Sequence, residues 1–495
     1  MLKFVVGRAF LVPLAIILTG CATGSGASNT SPSSPVGDDV GSWTNTGRAA
    51  VEDRLAQTPN VNQARNVILF IGDGMGLSTI TAARIYDGQS RGKPGEEHTL
   101  SFETFPHTAL VKTYNTDQQV ADSAGTASAM HTGVKTRAGV VGLSGAAPRA
   151  KCAQSMDHRV ATLGEMAAGT GKATGIVTTT RLTHATPAAV YAHSSERDWE
   201  MDSNMPAAAL DEGCRSIARQ FVEFDTGKGI DVALGGGRSY FSSELVDVWR
   251  SRYPDGTLVH DRNQLAAIGA GHDGPVWGLF SGSHMTYMLD RAGDSTEPTL
   301  SEMTAKAIDI LSDREGGYYL MIEGGRIDHG HHDGIAGKAL AETQEFARAV
   351  QVALDRVDLD DTLILVTADH SHVLSFGGYP TRGNPILGHV VGNDKHGSPE
   401  DKAKLALDDK PYTALGYHNG PGAVAGQRPV PDTGPFAMQQ AVVPTGYRHP
   451  DRIEYSETHA GEDVALFAVG PWSHLASGVM EQHVIFHMIS HAFGW

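Results

Sequence analysis

The stretch VILFIGDGMG, residues 67–76, runs five apolar residues into a carboxylate set between glycines. A short, β-branched run that stops at a turn signal reads as a strand buried on both faces, with Asp73 just past its carboxyl end. The same texture recurs in GIVTTTRLTHAT (175–186), YYLMIEGG (318–325) and TLILVTADHSH (362–372). Between these runs lie segments with helical spacing, such as LSEMTAKAIDILSD (300–313) and AGKALAETQEFARAVQVALDRV (336–357). Strands alternating with helices predict an α/β fold with an open, mostly parallel sheet. Such sheets bind ligands outside the carboxyl ends of their strands. Asp73, Thr186, Glu323, Asp369 and His370 all fall at strand ends, so they should converge on one rim.

Each of these ends can be read in two ways. GDGMG at 72–76 is G-x-G-x-G and lacks the G-x-G-x-x-G spacing that packs a dinucleotide pyrophosphate. Asp73 among glycines suits a hard cation, or else a plain strand-to-helix turn. Asp369 and His370 supply the oxygen and nitrogen donors that zinc accepts, or else a capping carboxylate and a core histidine. In EGGRIDHGHHDG (323–334), Asp328 and His332 are i and i+4, so one helical turn points both at the same ion. His331 at i+3 is a weaker alternative, and His329 points about a quarter turn away. In ADSAGTASAMHTGVKT (121–136), Ser123 follows Asp122 at the start of a small-residue helix. That position faces free backbone N–H groups, which suits an oxyanion or simply an N-cap.

Composition narrows the partners. With 39 Lys and Arg against 56 Asp and Glu among 495 residues, the net charge of −17 repels polyanions, so nucleic acid is not an expected partner. The N-terminus MLKFVVGRAFLVPLAIILTGC reads as a signal peptide over 1–20. Its Leu18-Thr19-Gly20-Cys21 resembles the lipoprotein box, which predicts lipidation of Cys21 and a membrane contact only through that anchor. Residues 21–46 read as a disordered tether, and 47–495 as the folded body of an exported protein facing the periplasm or cell exterior. Cys152 and Cys214 then form an even pair, which an oxidising compartment favours as a disulfide. The Gly-, Pro- and Asp-rich region of about 376–457 reads as a lobe inserted between two core strands.

Taken together, VILFIGDGMG, DSAGTASAMHTGVKT, TTTRLTHATPAAVYAH, MIEGGRIDHGHH, VTADHSH and ETHAGEDVALFAVGP resemble the alkaline phosphatases, in order and over about residues 60–475. GGRIDHGHH and the histidine of RLTHATP are nearer the animal branch of that family. The resemblance implies a three-layer αβα sandwich with a crown-like inserted lobe, and a homodimer. It implies Zn²⁺ held by Asp328, His332 and His459, a second Zn²⁺ held by Asp73, Asp369 and His370, and one Mg²⁺ shared by Asp73, Thr186 and Glu323. It implies Ser123 as nucleophile, Arg197 as phosphate clamp oriented by Asp122, His184 and His329 as neighbours of the phosphate, and a Cys152–Cys214 bridge. The implied activity is hydrolysis of small-molecule phosphate monoesters, with broad specificity and an alkaline optimum. A sulfatase would need a C/S-x-P-x-R motif, and no cysteine here has that context. A non-catalytic zinc-binding protein would not need Ser123 and Arg197.

Overall fold

The computed structural model describes residues 40–269 and 271–495. Its centre is a ten-stranded sheet. In chain order the strands are β1 (Asn66–Gly72), β2 (His107–Lys112), β3 (Ala173–Arg181), β4 (Val232–Gly236), β5 (Thr257–Val259), β6 (Val276–Leu279), β7 (Tyr318–Glu323) and β8 (Thr362–Ala368), followed by Val464–Val469 and Val479–Glu481. From the middle outward, β1 is flanked by β7, β3, β4, β6 and β5 on one side and by β8, Val464–Val469, β2 and Val479–Glu481 on the other. Val464–Val469 runs antiparallel to both of its neighbours, and the other pairings are parallel.

The central strands are apolar because both of their faces are covered. Every residue of β7 and β8 is buried. Tyr319 pairs with Val67, and alternation turns Phe70 to the opposite face. Phe70 meets Phe346 of the helix Ala336–Leu354 at 5.7 Å, edge to face. Tyr319 meets His131 of the helix Ser123–Thr132 at 6.2 Å. Helices therefore lie on both faces of the sheet. Among the described residues no helix is long and apolar enough to cross a membrane.

The region read as an inserted lobe carries small strands of its own between β8 and Val464–Val469. Leu374–Phe376, Leu415–Asn419 and Ala441–Val443 form one sheet, and Gly446–Arg448 pairs with Ile453–Tyr455. At its base Ser371–His372 pairs with His459–Ala460, which closes the excursion and carries His459 back to the sheet rim. Cys152 and Cys214 are joined, closing a loop of sequence separation 62 that contains β3. A cross-link of that span stabilises by about 4 kcal/mol in the chain-entropy picture.

The signal peptide and Cys21 lie outside the described residues, as does the tether up to residue 39. Residues 40–46 were expected to belong to the tether. They instead begin a helix, Val40–Ala56, in which no residue is buried.

One buried carboxylate gives the fold a pH dependence. Glu342, 3% exposed on the helix Ala336–Leu354, accepts a 2.6 Å bond from Met288 N–H. Burial lifts its carboxyl from the ordinary 4.5 to about 7, against the pull of that bond and of Arg291 and Arg326. A raised carboxyl stabilises the fold fully below pH 4.5, and this contribution is lost as pH rises through 7. The loss amounts to about 2–4 kcal/mol. Glu342→Gln keeps an oxygen for Met288 and cannot ionise. Denaturant unfolding at pH 5 and pH 8 should show a smaller difference for the variant than for the wild type.

Candidate active site

The rim predicted from the strand ends exists for Asp73, Glu323, Asp369 and His370, whereas Thr186 sits in the short helix Ala185–Ala188 past the end of β3; the densest point is where β1 and β8 end side by side. Gly72 pairs with Ala368, so Asp73 and Asp369 emerge together. Asp369 Oδ1 accepts from Gly74 N–H at 2.9 Å and from His370 N–H at 2.8 Å. Gly74 sits at φ +70°, and a Cβ there would strike the His372 ring at 2.3 Å. At Gly76 a Cβ would meet Ser371 Oγ at 1.8 Å. The glycines of GDGMG thus let the turn press against the segment after β8.

Asp73 is fully buried, and both of its carboxylate oxygens lack a hydrogen-bond partner. Burial raises its carboxyl well above the ordinary range, and Asp369, Asp328 and Glu323 raise it further. Asp73, Asp369 and His370 form a group whose donor atoms lie within 4.8 Å of one another.

A second such group is Asp328, His332, His372 and His459. As the i, i+4 spacing predicted, Asp328 and His332 share a face of the helix Arg326–His332. His332 Nε2 and His459 Nε2 each stand 3.3 Å from Asp328 Oδ1 and 3.2 Å from each other. His332 Nδ1 donates to Glu457 O at 2.7 Å, and His459 Nδ1 donates to Ala121 O at 2.8 Å. Both Nε2 lone pairs are therefore free for a cation, the usual way a metal-binding imidazole is oriented.

His372 differs, and the sequence reading missed it. Its Nε2 is 2.7 Å from Asp328 Oδ1 and its Nδ1 is 2.5 Å from Glu457 Oε2. Two carboxylates can be satisfied only by two N–H donors. Burial opposes that charge, yet Glu457 and Asp328 outweigh it and raise the imidazole to about 10. Both ring nitrogens are thus engaged by carboxylates, and the ring braces Asp328 from the side away from the solvent. The signal was present in the sequence, because His370 and His372 are i and i+2 in an extended segment.

The third group is Asp73, His184 and Glu323. Glu323 Oε2 accepts from Thr180 Oγ1 at 2.9 Å and from Thr178 Oγ1, which leaves Oε1 buried and unpartnered. Thr186 Oγ1 is also buried without a partner. Burial and the Asp369 charge push Glu323 up to about 7 against these threonine bonds. Unpaired buried oxygens of this kind mark a place for cations. The mixed N and O groups suit zinc, and Asp73, Thr186 and Glu323 offer the all-oxygen surroundings that magnesium prefers.

Ser123 opens the helix Ser123–Thr132, capped by Asp122, whose Oδ1 accepts from Gly125 N–H at 3.1 Å. Ser123 Oγ is 3.2 Å from His370 Nε2. Asp122 Oδ2 takes Arg197 Nη1 at 3.0 Å and Gly139 N–H at 2.9 Å. Burial works against this carboxylate, but Arg197 holds it below the ordinary range. Arg197 Nη2 donates to His184 Nε2 at 3.2 Å. The cap is thus Asp122, and Ser123 is the first residue of the helix.

His331 belongs to the framework, with Nε2 bonded to Thr79 Oγ1 at 2.9 Å and Nδ1 to Tyr417 OH at 2.8 Å. His184 and His329 lie 5.7 Å apart, and a third imidazole, His284, stands 5.3 Å from the first and 4.2 Å from the second. No periodicity in the loop around His284 announced it.

The family model described as alkaline phosphatase matches residues 64–494. The tissue-nonspecific isozyme of alkaline phosphatase from Gallus gallus is 44% identical over 482 residues, covering 91% of this chain and 88% of that protein. The isozyme from Homo sapiens is 43% identical over 467 residues, covering 88% and 85%. The solved alkaline phosphatase of the Antarctic bacterium TAB5 covers 88% of this chain and 99% of its own, with a TM-score of 0.58 and 24% identity. That of Thermus thermophilus covers 89% and 93%, with a TM-score of 0.62 and 24% identity. The two structures share the fold, and the curated relatives share the sequence over most of its length. This chain belongs to the alkaline phosphatase family.

Proposed function

We propose that the enzyme hydrolyses phosphate monoesters through a phosphoseryl intermediate on Ser123, at a centre of two zinc ions and one magnesium ion. The observation that carries this reading is the hydroxyl of Ser123, 3.2 Å from His370 Nε2 at a helix N-terminus, beside buried carboxylates with unpaired oxygens. Asp73, Asp369 and His370 would hold one zinc, Asp328, His332 and His459 the other, and Asp73, Thr186 and Glu323 the magnesium. Bound divalent ions supply charge neutralisation at both ends of an in-line displacement and make hydroxyl oxygens nucleophilic at neutral pH.

The chain's own groups do the rest. Ser123 Oγ forms a bond to phosphorus as the ester oxygen departs with the alcohol. Water then breaks the Ser123 phosphoester and releases inorganic phosphate. Arg197, fixed by Asp122, presents a planar fork to two non-bridging oxygens, and the first N–H groups of the helix Ser123–Thr132 face the same charge. Because these groups grip the phosphoryl and not the alcohol, specificity is broad. Turnover of a nitrophenyl phosphate monoester, but not of the matching diester or sulfate ester, and its loss on chelation, is the expected pattern. Comparable diester or sulfate turnover overturns it.

His184 borders the magnesium position as a neutral ring, since burial and Arg197 hold its imidazole well below the ordinary range. His184→Asp adds a negative charge beside that ion. Changes among groups that orient a metal's ligands shift affinity by about 10–100-fold, so magnesium should bind at least about tenfold more tightly. Calorimetric titration of metal-stripped protein checks this, and equal or weaker affinity refutes it.

The Leu18–Cys21 box and the disulfide support export as a lipoprotein. Exposed apolar side chains on the lobe, including Phe436, Val442 and Tyr447, support a homodimer.

A further inference from the structure

A chain of bonds leads from Glu200 to His284, one of the three clustered imidazoles. The Glu200 carboxylate accepts Arg181 Nε at 2.8 Å, Arg181 Nη2 at 2.5 Å and Thr183 Oγ1 at 2.5 Å. Arg181 Nη1 is left to donate to His284 Nε2. A guanidinium has donors only, so His284 Nε2 presents its lone pair and the ring's single proton sits on Nδ1. That Nδ1 is buried without a hydrogen-bond partner, and so is Nδ1 of His329. The two rings are 4.2 Å apart at their centroids. Two buried, unpartnered nitrogens on neighbouring rings are a costly arrangement unless they pair with each other. His329 Nε2 has no bond within the protein and is not among the buried unpaired atoms, so it is the ring nitrogen that retains exposure.

We propose that His284 is a positioning residue that sets the tautomer of His329. The His284 Nδ1–H donates to His329 Nδ1, and the His329 proton is thereby fixed on Nε2. His329 then meets a phosphoryl oxygen as a donor. In the other tautomer it would turn a lone pair toward an anion. This rests on the phosphomonoesterase reading of the site.

Binding of inorganic phosphate to the metal-loaded enzyme, measured by calorimetry, tests the relay without depending on turnover. His284→Ala should weaken phosphate binding about tenfold, the worth of one hydrogen bond to a charged group. His284→Gln keeps an oxygen for Arg181 and an N–H for His329, and should return affinity to within about twofold of the wild type. His284→Glu keeps only the acceptor and should resemble His284→Ala, which supplies a second reading if the alanine variant does not fold. In a His329→Ala background, His284→Ala should cost nothing further. Equal losses in both backgrounds, or a glutamine variant no better than glutamate, would overturn the relay. Absence of monoester turnover by the wild type would instead refute the reading of the site.

Discussion

Ser123→Ala is expected to lower turnover of a nitrophenyl phosphate monoester by about three orders of magnitude, with the bound metals retained. The three donor groups are built from carboxylates and imidazoles, and the substitution leaves all of those side chains in place. What is lost is an oxygen preset at a helix N-terminus, 3.2 Å from His370 Nε2, and a water molecule would have to be ordered to replace it. Removing a nucleophile costs at least about this much where the remaining electrostatic groups still act. Steady-state kinetics beside elemental analysis of the same sample makes the test. Near-full turnover with full metal content would exclude Ser123 as the nucleophile.

The second large effect is expected from stripping the metals. Asp73, Asp328, Asp369 and Glu323 are buried together, and burial and their mutual repulsion push Asp73 and Glu323 upward. Without cations these groups must either take up protons or remain charged in a low dielectric, and both destabilise the fold near neutral pH. Cations that bind only the folded form stabilise it by about 3–4 kcal/mol per site when well above saturation. Chelation should therefore abolish activity and lower the melting temperature by on the order of 10 °C, with recovery on adding zinc and magnesium. An unchanged melting temperature with activity lost would mean that the carboxylates are compensated by the protein itself.

What the sequence made legible followed from local periodicity. Runs that stop abruptly marked β1, β3, β7 and β8, and a sheet of parallel strands gathers such ends on one rim, so Asp73, Glu323 and Asp369 meet there. The i, i+4 spacing picked out His332 over its neighbours. His459 and Arg197 could be placed only by family resemblance, because both reach the rim by tertiary routes. One returns through the pairing of Ser371–His372 with His459–Ala460, and the other is held by Asp122, 75 residues away in the chain. The roles of Glu457 and His284 were not legible. Each acts on a neighbouring imidazole from an irregular loop, where no spacing encodes the contact. The helix Val40–Ala56 was missed because none of its residues is buried, so it carries no apolar stripe to detect.

The proposed reaction turns on a covalent phosphoseryl intermediate. Acid-quenching the enzyme during turnover of a nitrophenyl phosphate and sequencing its peptides by mass spectrometry tests this most directly. The expected result is one phosphate on the peptide containing Ser123, absent without substrate and after chelation. Phosphate on any other residue, or none during active turnover under acid conditions that preserve phosphoserine, would contradict it.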